Sequence, residues 1–155
     1  MRVVSSREMR DLDQEASTKF KIPEVVLMEN AGARSAEVII KLHNQFGWSN
    51  EIVVFAGKGK NGGDALVTAR HLVAEGKRVR LFLLNAFEDY QNESKRNLEI
   101  LLQQKIRPLV VESVTQVEEY FNSASGPFFI VDGILGPEAE LKYSSIWFLS
   151  LEFVT

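Results

Sequence analysis

Gly57-Lys58-Gly59-Lys60-Asn61-Gly62-Gly63-Asp64 follows the apolar run Ile52-Val53-Val54-Phe55-Ala56 and opens the helical pattern Ala65-Leu66-Val67-Thr68-Ala69-Arg70. Four glycines in eight positions leave backbone N–H groups able to face a ligand, where a helix N-terminus supplies positive potential. Strand, glycine turn and helix start in that order form an anion cradle, and phosphate is its usual guest. The stretch therefore points to a nucleotide-binding α/β protein.

Gly57, Gly59 and Gly62 satisfy G-x-G-x-x-G, which suggests a dinucleotide fold with pyrophosphate at the helix start. Such a fold calls for an acidic residue at the end of the next strand, to hold the ribose. Here Val79-Arg80-Leu81-Phe82-Leu83-Leu84 ends at Asn85, and Glu88 and Asp89 arrive late. A P-loop is excluded, because no Gly-Lys-Ser/Thr follows the glycines. A tight strand-to-helix turn without a ligand is the plain alternative. Lys58, Lys60, Asn61 and Asp64 count against it, since packing alone does not require them.

Outward from the turn, strand-like and helix-like segments alternate. Ser5 and Glu8 form a capping box for a first helix that should carry Met9, Leu12 and Ala16 inward. Pro23 opens a second helix running to about Phe46, with Gly47 as its stop. The helix after the glycine turn ends at Gly76. Ser94 to Gln104 and Gln116 to Asn122 read as further helices, and Leu109–Val111 and Phe128–Val131 as strands. His43 and His71 fall in helices without partners at metal spacing, so they read as structural. Lys77, Arg78 and Arg80 read as a solvated edge.

Strands alternating with helices predict an α/β, doubly wound, Rossmann-like three-layer fold with a mostly parallel sheet, as a single domain over residues 1–155. In the common strand order 3-2-1-4, the first and fourth strands meet at the switch point, where ligands bind beyond the carboxyl ends. The glycine turn and Asp132 both occupy such ends. Topology should bring Asn61, Asp64 and Asp132 toward one crevice, where an amide oxygen, a carboxylate and loop carbonyls suit a hard cation.

Composition fits an ordinary globular enzyme-sized chain. At 155 residues it should bury about 68–70% of the surface of its unfolded form. A net charge of −3 offers no basic field for nucleic acid. No apolar run approaches the ~20 residues of a membrane span, and Arg2, Arg7, Glu8 and Arg10 spoil a signal peptide. Absence of Cys excludes thiolate catalysis and Cys-based zinc sites and suits a reducing compartment, so a cytoplasmic location is expected.

Three separated strings carry a family resemblance over roughly residues 5 to 136. Gly59 to Leu66 with Ala69-Arg70 resembles the G-N-N-G-G-D-G-L…A-R loop of the NAD(P)H-hydrate epimerases, the YjeF amino-terminal domain family. Leu27-Met28-Glu29-Asn30-Ala31-Gly32 is similar to its L-M-E-N-A-G, and Val131-Asp132-Gly133-Ile134-Leu135-Gly136 to its V-D-A-I-x-G. The resemblance implies an isomerase that interconverts the R and S epimers of hydrated NADH or NADPH, in nicotinamide nucleotide repair. It implies substrate binding by Lys60, Asn61, Gly62, Gly63, Asp64 and Gly136, and a potassium ion on Asn61 and Asp132. Hydrated NAD(P)H is then substrate rather than cofactor. Asp132 becomes the candidate catalytic residue, as electrostatic partner of a cationic ring. An NAD(P)H-hydrate dehydratase becomes the functional partner, and a homodimer through the first two helices is expected. Glu29 and Asn30 read equally well as packing, interface or site residues.

Lys60 and Ala65 depart from the family string, and no Asp-x-Pro-Ser-Gly follows. The chain is therefore expected to be truncated or altered after Gly136. A catalytically silent nucleotide-binding or scaffolding module of the same fold is the alternative.

Overall fold

The computed structural model describes residues 5–47, 51–124 and 127–134. In chain order these form α1 (Ser6–Thr18), α2 (Glu24–Phe46), β1 (Ile52–Ala56), α3 (Lys60–Ala74) and β2 (Val79–Leu83). A 3-10 turn at Phe87–Asp89 then leads to α4 (Asn92–Gln103), β3 (Leu109–Val110), α5 (Val114–Ser123) and β4 (Phe129–Gly133).

All described strand pairs are parallel, in the order β3-β2-β1-β4 expected from the sequence. β1 is central and buried at every residue, which is why its run is apolar without alternation. Its side chains still divide by parity. Ile52, Val54 and Ala56 pack with α2, α3 and α4 through Ala36, Leu66, Ala69, Leu98 and Leu101. Val53 and Phe55 turn to the other face, where Phe82, Val117 and Tyr120 lie. Helices thus cover both faces of the sheet, giving three layers. The chain winds outward through β2 and β3, then returns past β1 to β4, so β1 and β4 flank the switch point.

Local chemistry sets the helix ends. Ser5 and Glu8 make the reciprocal capping box, with Ser5 N–H donating to Glu8 Oε2 at 2.7 Å. Gly47 ends α2 at φ 66°, a left-handed conformation that suits glycine.

Two expectations need correction. Met9 and Leu12 are each 51% exposed, so among the described residues the apolar side of α1 is not inward. Periodicity located the stripe but could not say what covers it. Arg80 is packed rather than simply solvated, although β3 pairs with β2 only at Phe82 and Leu83. Its guanidinium lies over the Tyr120 ring, 5.4 Å from the centroid, and its Nε is 3.5 Å from Glu51.

Candidate functional site

The glycine turn is held in shape by backbone. Gly57 N–H donates to Gly133 C=O at 2.9 Å, joining the turn to the tip of β4. Lys58 N–H donates to Asn85 Oδ1 at 3.2 Å, joining it to the end of β2. Asn85 thus sits where a dinucleotide fold would put its ribose acid, and it braces the turn instead. A Cβ on Gly62 would lie 1.7 Å from the Gly57 carbonyl oxygen, so only glycine fits there. A Cβ on Gly59 meets nothing within 4 Å, which leaves that backbone open.

Asn61, in the first turn of α3, reaches β4: its Nδ2 donates to the Asp132 C=O at 3.5 Å. Asp132 stands beside Phe55 in the β1–β4 register, at the carboxyl end of the sheet. Its Oδ1 accepts the Ile134 N–H at 2.9 Å, so one carboxylate oxygen caps the strand exit. Asn61 and Asp132 therefore meet at the switch point, as topology required.

Asp64 goes elsewhere. Its charged neighbours are Asp13, Glu24 and Lys60, not Asp132. Burial, then repulsion from Asp13 and Glu24, pushes its carboxyl up to about 6, with Lys60 opposing. Position in the string did not reveal this, because consecutive residues of a helix face different directions. A raised pKa means that the folded chain binds the proton more tightly than the unfolded chain. Stability therefore declines as pH rises from the usual 3.8 through about 6. Asp64→Asn is expected to raise Tm near about pH 8 and to leave it nearly unchanged near about pH 4, read by thermal melts.

The Leu27–Gly32 string and Arg70 are tied into the packing of α2, α3 and α4. Met28 packs on Gly63, where an added Cβ would fall 2.5 Å from Met28 Cε. Gly32 lies against Val67, and Thr68 Oγ1 lies 3.2 Å from Gly32 C=O and 2.8 Å from Asp64 C=O, poised to donate to both. Glu29 binds Arg70 Nη2 with one oxygen, and its other oxygen lies 2.7 Å from His71 Nε2. Arg70 Nε also donates to Asn97 Oδ1 at 3.1 Å, which draws α4 into the network. Burial pushes the Glu29 carboxyl up, but hydrogen bonds and charge from Arg70 and His71 outweigh it and hold it below its usual value. That stabilisation is present above the ordinary Glu pKa and is lost as pH falls through the lowered value. Arg70→Ala strands Glu29 and the buried Asn97, and is expected to cost about 1–3 kcal/mol in urea unfolding at neutral pH. His71 is the satisfied structural residue its position suggested, and His43 lies against the Phe129 ring at 5.6 Å.

Sequence reasoning missed a cleft of about 450 Å³ on the other side of the turn. Glu24 and Met28 of α2, residues 58–60, Asp89 and residues 91–94 line it. Between the lining residues Asp89 and Gln91, Tyr90 is buried and its hydroxyl donates to the Ala56 C=O at 2.6 Å. Asn92, at the start of α4, has φ 49°, a left-handed value that asparagine tolerates better than most residues. The late acidic pair Glu88 and Asp89 was the available signal. Lys60 Nζ lies 2.5 Å from Glu24 Oε1 across the rim. Gly136 lies outside the described residues.

A family model described as YjeF-related protein N-terminus matches residues 24–145. The chain belongs to the YjeF-related amino-terminal family. It is 46% identical over 100 residues to the bifunctional NAD(P)H-hydrate repair enzyme Nnr of Moorella thermoacetica, covering 64% of this chain and 19% of that one. It is 31% identical over 137 residues to the NAD(P)H-hydrate epimerase of Elusimicrobium minutum, covering 88% of this chain and 61% of that one. The crystal structure of yeast ynu0, YNL200c, superposes with a TM-score of 0.72 at 25% identity, over 92% of this chain and 62% of that one. The chain thus spans at most about six-tenths of each of these relatives. Within the YjeF-related family fold, the strings around Met28, Lys60 and Asp132 correspond to α2 packing, the glycine turn and the β4 tip.

Proposed function

We propose that the chain is an NAD(P)H-hydrate epimerase, an isomerase that interconverts the R and S epimers of hydrated NADH and NADPH. The single observation that carries this reading is the meeting of Asn61 and Asp132 beside the glycine turn, at the β1–β4 switch point. Substrate binding falls to Lys60, Asn61, Gly62, Gly63 and Asp64, with the pyrophosphate over the turn and the hydrated ring toward β4. Gly136 stays in the proposed set as part of the third signature.

The chemistry asks little of a nucleophile. The ring nitrogen lone pair expels the protonated hydroxyl as water, the carbon–oxygen bond breaks, and a planar cationic ring remains. Water then adds to either face and loses a proton, which regenerates the hydrate as either epimer. Asp132 acts by placing negative charge near the developing cation, while the turn and Asn61 hold the dinucleotide still. One Asp132 side-chain oxygen accepts the Ile134 N–H, so the direction of the side chain is preset.

A potassium ion fits the donor chemistry of this corner. The Asn61 amide oxygen, the Asp132 carboxylate and nearby main-chain carbonyls are all hard oxygen donors. Asn61 and Asp132 would hold the ion, and when bound it would supply positive charge for the anionic dinucleotide. An NAD(P)H-hydrate dehydratase is the proposed partner reaction. Pairing of two copies through α1 and α2 is supported by the exposed apolar side chains Met9, Leu12 and Val38. No helix among the described residues is long and apolar enough to cross a membrane, and a cytoplasmic site of action is proposed with the repair role.

The test is epimer interconversion followed by chromatography, with and without potassium, on the purified chain. Equilibration of a single epimer faster than in buffer, and faster still with potassium, is the expected result. Binding of hydrate without any acceleration would instead select a silent nucleotide-binding module.

A further inference from the structure

We propose that the cleft beyond the carboxyl end of β2 receives the ribose of the adenosine half and holds its 2′- and 3′-hydroxyls on Asp89 and Glu93. The site then favours hydrated NADH over hydrated NADPH. The proposal rests on the epimerase reading and extends it to a residue-level specificity.

The cleft adjoins Gly59 and Lys60 on the face of the turn opposite Asp132. A dinucleotide with its pyrophosphate over the turn has its two nucleosides on opposite sides of it. A ring near β4 therefore puts the other ribose at the end of β2. The cleft volume of about 450 Å³ has room for a nucleoside.

Its lining suits a sugar diol better than a phosphate. Lys60 is engaged with Glu24 at the rim. Lys58 is then one cation on a lining that carries the carboxylates of Asp89 and Glu93. Two vicinal hydroxyls need acceptors, and carboxylates offer acceptors only. Ser94 lines the same cleft, where its hydroxyl can donate to or accept from a bound sugar. The start of α4 adds donors, because Gln91 makes no side-chain cap there. A 2′-phosphate would bring about −2 charge against Asp89 and Glu93 and raise the cost of binding.

The experiment compares kcat/KM for hydrated NADH and hydrated NADPH in the unaltered chain and in an Asp89→Asn/Glu93→Gln double variant. Fluorescence titration with NADH and NADPH reads the same preference without turnover. The unaltered chain should favour the NADH form by about tenfold, mainly in KM and in the titration Kd. The double variant should bring the two within about threefold with Tm nearly unchanged, since both side chains reach solvent. Ser94→Ala should weaken both forms alike. Equal use of the two forms by the unaltered chain overturns the proposal, and so does a preference that survives in the double variant. Failure of the epimerase reading looks different. A tenfold titration preference without turnover would support the ribose site while removing the activity.

Discussion

Gly62→Ala is expected to destroy the glycine turn. The new Cβ would meet the Gly57 carbonyl at 1.7 Å and its carbonyl carbon at 2.6 Å, and neither is a side-chain end that can swing away. Backbone must move, and Gly57 cannot follow freely because its N–H is bonded to Gly133. Overpacking in well-filled sites costs about 1–3 kcal/mol, and a clash between main-chain atoms belongs at or above the top of that range. A graded series isolates the cause. Gly59→Ala, with open space and φ of −82°, should cost about 1 kcal/mol or less. Gly63→Ala should fall between, since the terminal Met28 methyl can shift. Urea melts of the three variants give the order. Equal losses at Gly59 and Gly62 would mean that the turn is not packed as described.

Asp132→Asn should leave the fold intact and remove at least about 100-fold from the epimerisation rate. Asparagine keeps an oxygen for the Ile134 N–H, so the strand exit retains its cap. What disappears is the charge opposite the cationic ring. A steady-state assay beside a thermal melt separates the two effects. Full activity in the variant would remove Asp132 from the electrostatic role. A large fall in Tm would make the residue chiefly a turn former.

Much of the fold could be read from local chemistry. The unbroken apolar run at Ile52–Ala56 announced a strand buried on both faces, and β1 is central. Ser5 with Glu8, Pro23 and Gly47 marked helix ends because caps act within a few residues. The nearness of Asn61 to Asp132 was legible, because it depends on topology and strand ends. The carboxylates of Asp13 and Glu24 near Asp64 were not legible, because they come from α1 and α2 and not from its own string. The Glu29–Arg70–Asn97 network spans three helices and has no short-range signature. Ser94 and Tyr90 read as ordinary helix-start and loop residues, and their burial comes from packing of the 3-10 turn onto β1. The exposed apolar side of α1 shows that a stripe predicts a need for cover, not the identity of the cover.

One measurement bears most directly on the switch-point site. Amide NMR spectra of the chain, titrated with NAD⁺ as a stable analogue in potassium buffer, report where a dinucleotide docks. The largest shifts should fall on residues 57–64 and 131–134, with smaller ones at 89–94. Shifts confined to another surface, such as the groove between α2 and α3 near Ala36 and His71, would contradict the account.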